Sequence, residues 1–336
     1  MKKVAFRVDG GRVWGLSMGH LYRCIALAKE LMKRGVEVEF YMKDYREGVV
    51  VAMENVGVHN VHIGPDSFDE FYMIDYMLHS IDTSVYIFDM PDFSGVNFEF
   101  FRTRGIKTLA IDDLGKNKTL NADVVVNGSL VPEFHEYRVA EGKTIFLVGA
   151  KYCVMSETFG GFEREVSDKV ENVLITMGGC DESDLTGRVL KALMGKKLDC
   201  NFHVVFGPGN VGKAVAKSDE RFKFYHYVPS IAELMKKCDI GITAGGITMY
   251  EAISLGLPTI VIPAIEHEEK SALYAHNSGL ISHLPQELLE DEDHIVEQFN
   301  AFCGDLSLRT RMSEACSKIF DGKGCERVAN MIEEML

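Results

Sequence analysis

Short runs of β-branched and apolar residues alternate with longer stretches whose apolar positions recur every three to four residues, from residue 4 almost to the end of the chain. Strand, helix, strand, repeated in this way, builds parallel sheets with helices on both faces. A parallel connection needs a long crossover, and a strand covered on both sides reads as one continuous apolar run. The pattern predicts strands over 4–8, 36–42, 58–63, 85–89, 108–112, 124–127 and 145–148, with the clearest helices over 18–34 and 69–78. The fold class is α/β.

The alternation lapses once, over 151–171, in a charged and glycine-containing stretch that includes Ser156-Glu157-Thr158-Phe159-Gly160-Gly161. It resumes with strands over 172–176, 202–206, 222–227, 240–243 and 259–262 and helices after Asp184, Ile231, Ile247 and Glu268. A chain of 336 residues, at roughly 100–200 residues per domain, therefore predicts two Rossmann-like domains facing a cleft, 1–155 and 171–336. The last helical stretches, 305–320 and 325–335, are expected on the outside, with a return to the first domain left open.

A formal charge of -14 argues against a nucleic-acid face, which needs clustered Lys and Arg. An anionic ligand then has to be held by local devices such as helix N-termini. After Met1-Lys2-Lys3 only Val4, Ala5 and Phe6 precede Arg7, too few for a signal-peptide core, and no stretch approaches the ~20 apolar residues of a membrane span. A cytoplasmic location without membrane insertion is the expectation; the oligomeric state is unknown. The eight cysteines form no C-x-x-C pair, so buried thiols are expected rather than zinc or disulfides.

Three segments carry the candidate chemistry. The first runs from Phe6-Arg7-Val8-Asp9-Gly10-Gly11 through Trp14 to Gly19-His20-Leu21-Tyr22-Arg23-Cys24, a glycine-rich loop between the first strand and the first helix. In doubly wound folds ligands bind beyond the carboxyl ends of strands, where this loop lies. A histidine in the first helical turn meets the positive end of the helix dipole, which favours the neutral imidazole, so His20 is a plausible general base; a helix cap is the plain alternative. The loop is not G-x-G-x-x-G, and no acidic residue ends the second strand about twenty residues on, so a nicotinamide fingerprint is absent. Trp14 either forms part of a lid or packs the loop.

The second segment, Leu174-Ile175-Thr176-Met177-Gly178-Gly179, runs a strand into a glycine pair whose N–H groups an anion could approach, or which is merely a turn. The third is Ile240-Gly241-Ile242-Thr243-Ala244-Gly245-Gly246, a helix with an early Glu251, and Gly256-Leu257-Pro258 before the next strand. Asp89, Asp112, Asp113 and Asn127 end predicted strands and are candidates for sugar hydroxyls or ordinary turn residues.

Gly19-His20-Leu21-Tyr22-Arg23-Cys24 followed by Ile25-Ala26-Leu27-Ala28 resembles the G-x-G-H-x-x-R-x-x-x-L-A opening of the UDP-2,4-diacetamido-2,4,6-trideoxy-β-L-altropyranose hydrolase and spore-coat polysaccharide biosynthesis family of the GT-B superfamily. The chain departs from the pattern at Ser17, where a glycine is usual, and at Ile247-Thr248 after the second glycine pair. The resemblance implies that Gly178, Gly179, Gly245 and Gly246 present N–H groups to a diphosphate. It implies further that Glu251 accepts the ribose hydroxyls and that backbone around Val228 reads uracil. His267 lies where relatives contact the donor sugar, although an acidic helix start explains Glu266-His267-Glu268 as well. Arg7, Asp9, Gly19, Arg23, Asp89, Asp113 and Asn127 fall on the sugar side.

The activity so implied is hydrolysis of a UDP-linked amino-deoxy sugar with His20 activating water, no cofactor and no metal. A UDP-sugar-dependent glycosyltransferase is the runner-up, and a non-catalytic nucleotide-sugar-binding protein is the third reading.

Overall fold

A computed structural model describes every residue except 1, 12–17, 81, 82, 84, 139–142, 180 and 208–218. Trp14, Ser17 and Cys180 lie outside the described residues. The chain divides into two compact units, Met1–Glu157 with Gly322–Leu336, and Thr158–Asp321.

In chain order the first unit contains β1 (Lys3–Val8), α1 (Gly19–Lys33), β2 (Glu37–Lys43), α2 (Arg46–Val56), β3 (Val61–Gly64), α3 (Glu70–Ser80), β4 (Val85–Asp89), α4 (Phe98–Arg102), β5 (Lys107–Ile111), β6 (Val124–Asn127) and β7 (Ile145–Val148). Its strands form one parallel sheet in the order β3-β2-β1-β4-β5-β6-β7. All of β4 and β6 is buried, as expected of strands covered on both faces.

α1 forms because Leu21, Cys24, Ile25, Leu27, Ala28 and Leu31 return to one face and are buried there. It ends in a Schellman motif, with Gly35 N–H on Met32 O and Val36 N–H on Leu31 O. The predicted strand start at Val58 is instead a 3-10 turn, Val58–Asn60, because Gly57 ends α2 and the chain must turn before β3.

The second unit contains β8 (Asn172–Thr176), α5 (Leu185–Leu193), β9 (Asn201–Val205), β10 (Phe222–Tyr225), α6 (Ile231–Lys237), β11 (Ile240–Thr243), α7 (Ile247–Ser254), β12 (Thr259–Val261), α8 (Glu266–Asn277), β13 (Ser282–His283), α9 (Glu292–Gly304) and α10 (Leu306–Ile319). Its sheet is also parallel, in the order β10-β9-β8-β11-β12-β13.

The last helix, α11 (Gly324–Met335), belongs to the first unit. Val328, Ala329 and Ile332 are fully buried in the same apolar cluster as α1 and α2. The opposite face of that sheet is covered by α3 and α4 through Met73, Met77, Phe98 and Phe101.

The charged stretch before β8 is fastened to the second unit rather than free. Arg164 donates from Nε to Leu255 O (3.0 Å), from Nη1 to Cys238 O (2.7 Å) and from Nη2 to Met235 O (2.9 Å), closing the C-terminal ends of α6 and α7. The fully buried Arg309 donates to Ser167 O at 2.7 Å and Asp168 O at 2.8 Å. Among the described residues no helix is long and apolar enough to cross a membrane.

Candidate functional site

In each sheet the order reverses at one place, between β1 and β4 in the first and between β8 and β11 in the second. Neighbouring crossovers leave a crevice at the carboxyl ends of such strand pairs, and ligands of open α/β sheets bind there. Asp9, Gly19, His20, Arg23 and Asp89 lie at the first of these points, and Gly178, Gly179, Gly245, Gly246 and Glu251 at the second.

At the first, Val8 of β1 pairs with Asp89 of β4, so the end of β4 lies beside the start of the loop that leads to α1. His20 is the second residue of α1, and Arg23 follows three residues on, on the same face. Both turn to Asp89, which is fully buried. His20 Nδ1 lies 2.6 Å from Asp89 Oδ1. Arg23 donates from Nη2 to the same oxygen at 2.6 Å and from Nε to Oδ2 at 2.5 Å. Cys24 Sγ donates to Oδ2 at 3.5 Å, and Arg23 Nη1 forms an ion pair with Asp113.

Burial by itself raises the Asp89 carboxyl, but the charge of Arg23 and the His20 ring outweigh it and hold the group below the usual carboxylate range. An ionised carboxylate only accepts, so the short contact puts the proton of the imidazole on Nδ1. The 3.0 Å between Arg23 Nη2 and His20 Nδ1 follows from both nitrogens converging on one oxygen. In the neutral ring Nε2 then carries the lone pair; it has no partner among the described residues and belongs to a side chain 23% exposed. The arrangement is an imidazole held by a buried carboxylate, a pairing absent from the sequence pattern.

Asp89 was expected to meet ligand hydroxyls, and the structure corrects this: it has no exposed surface and supports His20 from below. Arg7 is corrected likewise. It is fully buried and donates to Asp9 (2.6 Å), to both oxygens of Glu70 (2.9 and 2.7 Å) and to Tyr41 O (3.4 Å). Asp9 also accepts Lys43 N–H at 2.7 Å, so the pair ties the start of the glycine-rich loop to β2 and α3.

Asn127 is fully buried, donating to Phe134 O and Tyr137 Oη at 2.9 Å and accepting Ser129 N–H at 3.0 Å. Asp112 accepts from Gly115 N–H at 3.0 Å and Tyr137 Oη at 3.1 Å, and burial raises its carboxyl. Of the four strand-end residues, Asp113 alone is open to solvent, with its side chain 42% exposed.

At the second reversal point Gly178 takes φ of +76°, a backbone that side-chain-bearing residues rarely adopt. A Cβ on Gly178 would stand 3.5 Å from Thr248 Oγ1, which brings the loop after β8 against the start of α7. Glu251, one turn into α7, has a partly exposed side chain and no hydrogen-bond or ionic partner among the described residues. Burial pushes its carboxyl up to about 8. Val228 follows β10 and is half-buried; beside it Tyr227 is 80% exposed and Ser230 accepts Glu233 N–H as the cap of α6. His267, in the first turn of α8, is partly buried.

Gly245 and Gly246 lie in the turn before α7, as the motif requires, but the Gly245 N–H already donates to the carboxylate of Glu268. Glu268 was read only as part of an acidic helix start, and it does reach back to Ala264 N–H at 2.8 Å.

Residues 172–317 match the glycosyltransferase family 28 C-terminal domain. The chain is 34% identical to the uncharacterized protein MJ1062 of Methanocaldococcus jannaschii over 77% of its own length, and spans about 55% of that protein. It is 24% identical over 99% of its length to the spore coat polysaccharide biosynthesis protein SpsG of Bacillus subtilis, 98% of which is covered. It is also 24% identical, over 75% of its length, to the pseudaminic acid cytidylyltransferase and UDP-2,4-diacetamido-2,4,6-trideoxy-beta-L-altropyranose hydrolase of Helicobacter pylori, of which it spans 43%. Among solved structures, CalG4, the calicheamicin glycosyltransferase, superposes with a TM-score of 0.70 at 14% identity, covering 100% of this chain and 98% of that one. That superposition shows a shared GT-B fold.

Proposed function

This chain belongs to the GT-B family that includes SpsG and the altropyranose hydrolase, and we propose that it hydrolyses a UDP-linked amino-deoxy sugar, with His20 as the base. The observation that carries the reading is the Asp89-held imidazole at the β1–β4 reversal point. Nδ1 is engaged by the carboxylate, and Nε2 takes a proton from water. The water oxygen then bonds to the anomeric carbon as the bond from that carbon to the diphosphate oxygen breaks, and the electron pair leaves with UDP. Attack from the side opposite the leaving group inverts the anomeric centre.

The second unit holds the nucleotide. Glu251 supports this: a carboxyl without a partner, pushed up to about 8 by burial, loses its desolvation cost when two ribose hydroxyls donate to its two oxygens. In the first unit Asp113 keeps solvent-exposed surface and is the strand-end residue open to a sugar hydroxyl.

A second reading is supported by the match to the glycosyltransferase family 28 C-terminal domain: the same imidazole deprotonates an acceptor hydroxyl instead of water. The test is UDP release from a panel of UDP-sugars by the purified protein without acceptor. Release at a catalytic rate, lost in His20→Ala, is expected. Release only after addition of an acceptor assigns the transferase, and binding of the nucleotide without release under any condition rules out both.

A further inference from the structure

The carboxylate of Glu268 stands at the turn where the preceding reading puts the ligand's diphosphate. It accepts the Ala264 N–H at 2.8 Å and the Gly245 N–H, bridging the loops that follow β12 and β11. A Cβ on Gly245 would lie 2.9 Å from Glu268 Cβ and 3.1 Å from its carbonyl oxygen, and one on Gly246 would lie 2.9 Å from Glu268 Oε1. The first turn of α8 is therefore pressed onto this turn, with the acidic group at the mouth of α7.

The carboxyl is not matched by a cation among the described residues, and burial raises it despite the two backbone donors. Its neighbours on α8 are committed elsewhere, Glu266 to Lys270 at 3.3 Å and Glu269 to His283 at 3.0 Å. From α7 the nearest acidic candidate is Glu251, itself without a partner. What compensates Glu268 is the pair of backbone donors and the positive end of α7, the same features an oxyanion of a nucleotide would use.

We propose that Glu268 is an internal substitute for the ligand's phosphate: it holds the Gly245 N–H in the free protein, leaves when a diphosphate binds, and so weakens retention of the nucleoside diphosphate once the sugar is gone. One N–H cannot serve two anions at full strength, and like charges brought to one donor repel. This inference rests on nucleotide binding by the second unit.

The test is calorimetric titration of wild type, Glu268→Gln and Glu268→Ala with uridine and with UDP. The amide keeps an oxygen for both N–H groups, so a purely structural clamp survives in Glu268→Gln; the ratio of UDP to uridine affinity cancels any damage common to both ligands. The ratio is expected to rise by about tenfold in both variants, through tighter UDP binding. An unchanged or lower ratio overturns the proposal while leaving the nucleotide site intact. Failure of wild type to bind either ligand removes the nucleotide reading itself, and this inference with it.

Discussion

His20 Nδ1 and Asp89 Oδ1 are 2.6 Å apart although 69 residues separate them in the chain, and the contact joins the first turn of α1 to the end of β4, the strand beside β1 at the point where the sheet order reverses. The buried carboxylate fixes which ring nitrogen carries the proton. It also stabilises the imidazolium that forms when Nε2 accepts a second proton. Replacing Asp89 by Asn lets the side chain donate to Nδ1 and favours the other tautomer. UDP release by Asp89→Asn is expected to fall by about 10²–10⁴-fold with nucleotide affinity unchanged. A variant with near wild-type turnover would remove Asp89 from the mechanism.

Glu251 supplies a second expectation. Substitution by Ala deletes both oxygens that face the ribose, and a typical hydrogen bond contributes about 0.5–1.5 kcal/mol. The dissociation constant for UDP should rise by at least roughly tenfold, which equilibrium dialysis measures directly. An unaltered constant would place the ribose elsewhere.

The same carboxyl predicts a pH effect on stability. Its folded value, raised by burial to about 8 from 4.5, means that the folded state binds this proton more tightly than the unfolded state does. The associated stability is fully present below the unfolded value and is lost as pH rises towards the folded value. Glu251→Gln cannot ionise. It should therefore gain stability over wild type between about pH 5 and pH 8, by roughly 1–2 kcal/mol once partial exposure is discounted. Denaturant titrations at pH 5 and pH 8 read the difference, and equal gains at both would contradict the assignment.

Arg164 joins the segment before β8 to the second unit through three carbonyls. Burial lowers its guanidinium to about 10, so it remains charged at neutral pH. Arg164→Ala leaves those carbonyls without their donor and should cost roughly 3 kcal/mol. Arg164→Lys should recover little, because an ammonium lacks the planar fork. Full recovery by Lys in chemical denaturation would mean that charge alone matters at this position.

Ile332 tests the return of the last helix. It is fully buried with Val328 and Ala329 against the cluster of α1 and α2. Ile332→Ala should destabilise the protein by about 2–5 kcal/mol. A change below about 0.5 kcal/mol would show that α11 contributes little to the core.

Much of this architecture was legible because strand and helix periodicities report burial directly. β1, α1, β8 and β11 fall where apolar runs and glycine turns predict them. What the pattern could not contain was strand order. Asp89 reads as a solvent-facing acid until β4 is known to lie beside β1, after which its pairing with His20 follows. Arg7 falls on the sugar side by resemblance, but a cation inside an apolar strand needs a partner. The partner is Glu70, which reaches it across 63 residues. The charged stretch over 158–170 has the composition of a linker, and only the distant arginine partners show that it is packed. Glu268 could have been singled out from its position three residues into a helix start, the place from which a carboxylate reaches backbone N–H groups.

The most direct test of the central claim is the turnover of His20→Ala on a UDP-sugar that wild type cleaves, with UDP affinity measured on the same preparation. The account predicts a loss of about 10²–10⁴-fold in UDP release and an unchanged dissociation constant for UDP. Release at the wild-type rate would contradict it.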